Sequence, residues 1–159
     1  DEMSRVVLDM IDLARQYCEL IESSGADDGT WLVRVSNLLP RLHAIINSIA
    51  GRSNYGDSGL TPDLDARFEL FSHLRELLGE RDGYWLEFDG FGDPSAMTGS
   101  LADDLTDIYC ELKHGLRLVD EHPDTAVQGW LSGYEHHWGR HLLDAQRHLS
   151  TLAAERRLD

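Results

Sequence analysis

Residues 100–118 read SLADDLTDIYCELKHGLRL, and residues 133–152 read GYEHHWGRHLLDAQRHLSTL. In both segments the apolar residues recur at steps of three and four, which is the pattern of an α-helix with one buried face. Ser100 stands where an N-cap residue is expected, and Asp103 follows three positions later as in a capping box. His122-Pro123 forms a tight connection between the two patterns. We therefore predict two long helices, over residues 100–121 and 124–156, that lie side by side in opposite directions.

The rest of the chain supplies three further helical patterns, over residues 4–24, 30–50 and 62–78. Thr61 is the expected N-cap of the third helix, with Pro62 in its first turn. Pro40 falls inside the second pattern and predicts a kink or a break there. No segment shows the alternation of a β-strand or a tight hairpin signal. The sequence therefore predicts an all-α, antiparallel helical bundle of about five helices, which forms a single domain over residues 1–159.

The charge balance bears on the class of partner. The 159 residues include 29 acidic and 14 basic side chains, which gives a formal net charge of −15. Nucleic acids and anionic membrane surfaces bind clustered Lys and Arg side chains, so this composition argues against both. A basic protein partner or a cation is compatible with it.

The cysteines and the hydropathy pattern bear on the compartment. Cys18 and Cys110 lie inside helical patterns and belong to neither a CxxC motif nor a zinc-type spacing, so no disulfide framework is expected. The first residues lack the features of a signal peptide, and no stretch approaches the roughly 20 apolar residues of a membrane span. We therefore expect a cytoplasmic protein.

Residues 81–99, RDGYWLEFDGFGDPSAMTG, are rich in glycine and aromatic residues and do not continue the helical pattern. Tyr84, Trp85, Phe88 and Phe91 are the aromatic side chains. Two interpretations remain open: the segment folds back on the bundle as a plug, because aromatic side chains bury large areas, or it forms a lid over a ligand pocket.

Acidic residues and histidines occupy the sides of the two C-terminal helices that should face each other. Asp104, Asp107 and Glu111 follow one another at steps of three and four, so they share one side of the fourth helix. His137 and His141 are four residues apart on the fifth, the spacing that lets two imidazoles reach one metal ion. With a turn at residues 122–123, facing positions have numbers that sum to about 245, which places Asp104 opposite His141.

This cluster permits two kinds of chemistry. The first is a set of carboxylate–imidazole hydrogen bonds along the helix seam, with each aspartate raising the pKa of its histidine. The second is a divalent metal ion held by Asp104, Asp107, Glu111, His137 and His141, with Zn, Mn, Fe or Ni as the candidates. Spacing alone does not choose among these metals.

A family resemblance is carried by residues 100–116, SLADDLTDIYCELKHGL, by residues 137–149, HWGRHLLDAQRHL, and more loosely by residues 38–42, LLPRL. These segments resemble an uncharacterised bacterial family of small all-helical proteins, domain of unknown function 5063. Asp104, Asp107, Trp130, His137, Trp138 and His141 fall on or beside them. The resemblance implies the helical fold and a bacterial source, and it implies no activity, substrate or cofactor.

Two functional hypotheses follow. The chain has no phosphate-binding loop, no nucleophile elbow and no HExxH motif, so no complete catalytic set is identified and we favour a non-enzymatic protein. The leading hypothesis is a protein-interaction or accessory module with a basic partner. The alternative is a divalent-metal-binding bundle with its site between the last two helices.

Overall fold

Six α-helices and one short antiparallel hairpin make up the part of the chain that the computed structural model describes, which is residues 2–25, 29–49, 60–61, 63–86 and 98–159. The elements are α1 (Glu2–Glu22), α2 (Trp31–Ile49), α3 (Leu64–Leu78), β1 (Gly83–Trp85), β2 (Thr98–Ser100), α4 (Leu101–Leu118), α5 (Pro123–Gly133) and α6 (Gly139–Ala154). A π-helical turn, Tyr134–Trp138, joins α5 to α6, so that the three run on as one helical segment. The predicted all-α bundle of about five helices is confirmed.

Helix α4 is the central helix of the bundle. It packs against α1, α3, α5 and α6, and α2 packs against α1 and α6. Leu105, Ile108 and Leu112 of α4 are fully buried. Tyr17 of α1 donates a hydrogen bond from its hydroxyl group to the Leu105 carbonyl at 2.7 Å. Because α4 is surrounded in this way, the polar side chains beside its apolar stripe are also drawn out of solvent.

Small residues let α4 and α5 approach each other closely. The indole ring of Trp130 occupies the space beside Gly115, where an added Cβ would come within 2.2 Å of Nε1. The same Nε1 donates to the backbone carbonyl of Glu111 at 3.2 Å. This close contact fixes the register of the two antiparallel helices.

The structure differs from the sequence predictions at three local points. The N-cap of α3 is Asp63, not Thr61, because the Asp63 carboxylate accepts a hydrogen bond from the Ala66 amide at 3.1 Å. Pro40 lies within a single helix, so the break that was one of the two predicted outcomes does not occur, and the kink stays a prediction. The hairpin was not predicted, since each strand has only three residues and the segment between them is long.

The buried face of α3 leaves out two apolar residues that fit the helical spacing of three and four. Leu64 and Phe68 have this spacing with Phe71, but they are 70% and 66% exposed. The stripe that turns inward is Arg67, Phe71, Leu74 and Leu78, in which Leu74 and Leu78 are buried. Phe68 follows Arg67 by one residue, about 100° around the helix, and so faces away from α4.

The cysteines and the hydropathy of the helices agree with the sequence analysis. Cys18 is buried and Cys110 is half-buried, and both are free thiols. Among the described helices, none has the length and apolar character needed to cross a membrane.

Candidate functional site

His141 of α6 lies between two aspartates of α4. Its Nδ1 is 2.7 Å from Oδ1 of Asp104, and its Nε2 is 2.9 Å from Oδ2 of Asp107. Asp104 therefore lies opposite His141, as expected from the short turn between the helices. All three side chains are largely shielded from solvent.

This geometry holds His141 as an imidazolium ion. Burial alone would lower the pKa of His141, but the hydrogen bonds with Asp104 and Asp107 outweigh burial and raise the pKa to about 10. Each ring nitrogen faces a carboxylate oxygen, and an ionised carboxylate can only accept, so both nitrogens carry a proton. The two carboxylates respond differently: burial leaves the pKa of Asp104 raised, whereas the hydrogen bonds from His141 and Arg67 overcome burial and lower the pKa of Asp107.

Arg67 brings α3 into the same network. Its guanidinium group donates from Nε to Oδ1 of Asp107 at 2.8 Å, and from Nη2 to Oδ1 of Asp103 at 2.7 Å. Two cations, Arg67 and His141, therefore balance most of the charge of three aspartates. Sequence reasoning missed Arg67, although its position four residues before Phe71 and seven before Leu74, on the same side of the helix, was a usable signal.

Tyr84 closes the other side of the network. Its hydroxyl group donates a short hydrogen bond to Oδ2 of Asp104. The Tyr84 ring stacks on His148 at a centroid distance of 4.8 Å, and it crosses Gly99 of the paired strand, where no side chain could fit. His148 in turn donates from Nε2 to the Arg81 carbonyl at 2.6 Å. The Tyr84 side chain thus links the first strand of the hairpin to α4 and α6.

The N-terminus of α4 is fixed by a buried carboxylate. Asp82 accepts hydrogen bonds from the Ala102 amide at 2.7 Å and from the Ser100 hydroxyl group at 2.9 Å. Ser100 accepts from the Asp103 amide at 3.2 Å, so it is the N-cap that the sequence predicted. An acidic group at this end also complements the helix dipole. The capping holds Asp103 and Asp104 at the start of the network.

Glu111 stands one helical turn beyond Asp107, and its surroundings are different. The side chain is only 6% exposed, yet no hydrogen bond reaches its carboxyl group from the described residues. His137 Nδ1 lies 3.6 Å from Oε1, beyond hydrogen-bond distance, and the His137 side chain is 66% exposed. Burial, with a further contribution from the charge of Asp107, raises the pKa of Glu111 to about 7.

A cavity of about 470 Å³ opens beside this carboxyl group. Its walls come from Leu60, α3, α4, the π turn and α6. Leu60, Leu64 and Cys110 line it together with seven charged or imidazole side chains, which are Arg67, Asp107, Glu111, His136, His137, Arg140 and His141. We call this space the Glu111 cavity. Its volume is typical of a binding site for a small molecule or a side chain.

The π turn shapes one wall of the Glu111 cavity. The Gly139 amide donates to the Tyr134 carbonyl five residues earlier, which widens the helix by one residue at Tyr134–Trp138. Trp138 turns inward and is fully buried, whereas His136 and His137 are exposed at the cavity. Single π turns inside α-helices often occur at functional sites. No local residue pattern in the sequence marks this turn.

The structure thus divides the five predicted metal-site residues into two groups. Asp104, Asp107 and His141 contact one another directly, while Glu111 and His137 form a looser pair beside the cavity. Among the described residues, the set whose ligand atoms come within 4.8 Å of one another is Asp103, Asp104 and His141.

The predicted plug or lid is only partly described. Tyr84 is half-buried and packs into the network, as a plug residue would. Trp85 is 71% exposed, so it does not fold back on the bundle, because alternate residues of a strand face opposite sides. Phe88 and Phe91 lie outside the described residues.

The family model described as Domain of unknown function (DUF5063) matches residues 1–155. The fold is similar to the crystal structure of protein BF1032 from Bacteroides fragilis, a structural genomics target, with a TM-score of 0.71 over 94% of this chain and 93% of that chain. The two sequences are 17% identical, so this likeness concerns the fold alone. A search of curated proteins finds no match.

Proposed function

This chain belongs to the family described as Domain of unknown function (DUF5063), and from that premise we propose that it is a non-enzymatic binding module. In this proposal the Glu111 cavity receives a side chain of a partner protein. The observation that carries the proposal is the Glu111 carboxyl group, whose side chain is 6% exposed, lines the cavity and receives no hydrogen bond from the described residues. A carboxyl group that is largely removed from solvent without a donor from the protein is unfavourable, and a ligand that brings a donor offsets this cost.

The network next to the cavity supports this proposal. Arg67, Asp107 and His141 are held by charged hydrogen bonds from three different helices, so one wall of the cavity is preorganised. Because these side chains are already ordered, less conformational entropy is lost when a ligand binds. Leu64 lines the cavity and is 70% exposed, so an apolar side chain beside the cavity is available for contact with a second protein.

The charge of the whole chain supports a partner of basic character. A formal net charge of −15 attracts a basic protein and speeds encounter at low salt. Because this contribution is screened by salt, the association we propose weakens as ionic strength rises.

A matched pair of leucine variants tests the proposal. Leu64→Arg places a bulky cation at the mouth of the Glu111 cavity, while Leu8→Arg makes the same change at an exposed position of α1, away from the cavity. Neither position is buried, so both variants should fold. In quantitative affinity enrichment from cells of the source organism, a partner of the cavity is retained by wild type and Leu8→Arg and lost by Leu64→Arg. Identical sets of proteins on all three baits would reject the proposal.

Divalent-metal binding is the second candidate, favoured by the proximity of ligand atoms from Asp103, Asp104 and His141. These residues would hold the metal, which would supply a Lewis-acidic charge. Metal binding would be opposed at His141, because one ring nitrogen must lose its proton before it can bind the metal. A neighbouring carboxylate stabilises that proton. Elemental analysis of untagged protein and thermal unfolding with added Zn or Mn test this candidate. A bound metal and a raised Tm support it, and the absence of both rejects it.

A further inference from the structure

The chemistry of the Glu111 cavity selects the kind of side chain that it can receive. This inference rests on the proposed function and goes further, to the atoms that recognise the ligand. Glu111 offers two acceptor oxygens, and the described residues place no donor within hydrogen-bond distance of them. A matching ligand group therefore brings at least one N–H or O–H donor.

The fold makes room for this carboxyl group. An added Cβ at Gly133 of α5 would come within 2.5 Å of Glu111 Oε2, so the carboxyl group lies in space that any other residue at position 133 would fill. The carboxyl group is therefore accommodated by the packing of α4 on α5, and its burial does not depend on a mobile surface side chain. This placement is independent of the charge network around His141.

An anionic ligand group fits the cavity poorly. The charges of Arg67 and His141 are already balanced by Asp103, Asp104 and Asp107. Arg140 also lines the cavity, but it is exposed and its charge is screened by solvent. An anion beside Glu111 would therefore meet a second negative charge, with only the solvent-screened Arg140 to offset it.

A purely apolar group fits poorly as well. It would remove the remaining water from Glu111 and supply no donor in exchange, and this desolvation is unfavourable for a carboxyl group. A cation with N–H donors satisfies both requirements, because it supplies hydrogen bonds and opposite charge in a site of low solvent exposure.

We propose that the Glu111 cavity binds the ammonium or guanidinium end of a lysine or arginine side chain, with the Glu111 carboxylate as its acceptor. Leu60 and Leu64 line the same cavity and contact the aliphatic part of that side chain. The partner of this chain is then recognised by one exposed basic residue that enters the cavity, in addition to its overall charge.

Blocked amino acids serve as probes of this recognition. Nα-acetyl-lysine methylamide and Nα-acetyl-arginine methylamide carry the cation, and Nα-acetyl-norleucine methylamide keeps an aliphatic chain without it. Each is titrated into 15N-labelled protein, and the backbone amide signals of residues 110–111 and 133–141 are followed. We expect saturable shifts with at least one cationic probe, at a Kd on the order of millimolar, and at least about tenfold weaker binding of norleucine methylamide.

Two glutamate variants complete the experiment. Glu111→Gln should weaken binding of the cationic probe by about tenfold or more, whereas Glu69→Gln, an exposed change on α3, should leave it unaltered. Equal binding by norleucine methylamide would overturn the cation assignment while leaving the cavity as a ligand site. Unchanged binding to Glu111→Gln, or no saturable shift with either cationic probe, would overturn the inference outright. The leucine variants test the partner site separately, so failure of the two proposals can be distinguished.

Discussion

Glu111 of α4 and Gly133 of α5 share one space: the carboxyl group of the first occupies the position where a Cβ of the second would lie. Glycine in a helix interior costs about 1 kcal/mol relative to alanine. At position 133 this cost allows a buried carboxyl group to reach the wall of a cavity. The α4–α5 contact is therefore built around a group that stabilises neither helix.

This relationship predicts an energetic coupling between the two positions. Gly133→Ala in the wild-type chain should lower the free energy of unfolding by about 1–3 kcal/mol, because the new methyl group displaces the Glu111 carboxyl group. In a Glu111→Ala background the same change should cost at least about 1 kcal/mol less, since the main clash is gone and alanine favours the helix. A double-mutant cycle by chemical denaturation measures the difference. Additive effects would show that the two groups do not compete for space.

A second prediction concerns the protonation state of His141. With a pKa near 10 in the folded protein against an ordinary value of 6.5, the ring should stay doubly protonated at pH 8. Its stabilising contribution is complete below pH 6.5 and is lost as pH rises through about 10. In 15N-resolved NMR spectra at pH 8, we expect N–H signals from both ring nitrogens. A single-proton tautomer, or a titration midpoint near 6.5, would contradict the placement of the ring between two carboxylates.

A third prediction uses two arginines of α3. Arg67→Met removes the cation that pairs with Asp103 and Asp107, so Asp103 loses its ion pair and Asp107 keeps only the one with His141. We expect a loss of about 1–3 kcal/mol in the free energy of unfolding. Arg75→Met, an exposed change on the same helix, should stay within about 0.5 kcal/mol of wild type. Equal effects of the two variants in urea denaturation would show that the Arg67 ion pairs contribute nothing specific.

The helices themselves could be predicted because their signals are local. Steps of three and four between apolar residues located all five helical patterns, and Ser100 marked the start of α4. The contact between Asp104 and His141 was also predictable. A tight turn leaves two consecutive helices few options other than antiparallel packing, and the packing direction fixes which positions face each other.

The rest of the site depends on contacts between elements that are distant in sequence. The role of Arg67 depends on the rotation of α3 about its axis, and the apolar spacing of Leu64 and Phe68 does not reveal that rotation because both side chains are exposed. Tyr84 reaches Asp104 through a hairpin whose strands are too short to leave a pattern. The π turn adds one residue without a characteristic local sequence, so the positions of His136 and His137 could not be fixed beforehand.

For Glu111, the sequence predicted its position near the acidic cluster but did not predict its environment. Its spacing from Asp107 placed it beside the acidic cluster, which is where it lies. The spacing could not reveal that Gly133 would leave the carboxyl group buried without a donor, since that depends on the fit of two helices. Its separation from the hydrogen bonds of His141 is likewise a result of packing.

We have argued that the Glu111 cavity is maintained at a cost in stability. The most direct test measures how Glu111→Gln changes the free energy of unfolding at two pH values. The pKa of Glu111 is about 7 in the folded protein against an ordinary 4.5, so the folded state holds this proton more tightly. The free energy of unfolding therefore falls as pH rises from about 4.5 to about 7, and the full penalty, up to about 3 kcal/mol, is present above that range.

We predict that Glu111→Gln is more stable than wild type at pH 8, and that this gain is about 2 kcal/mol larger at pH 8 than at pH 5. Glu69→Gln serves as the control and should give the same small difference at both pH values. A Glu111→Gln variant that is less stable than wild type at pH 8 would contradict the central claim, because it would mean that the carboxylate is a structural group already satisfied within the fold.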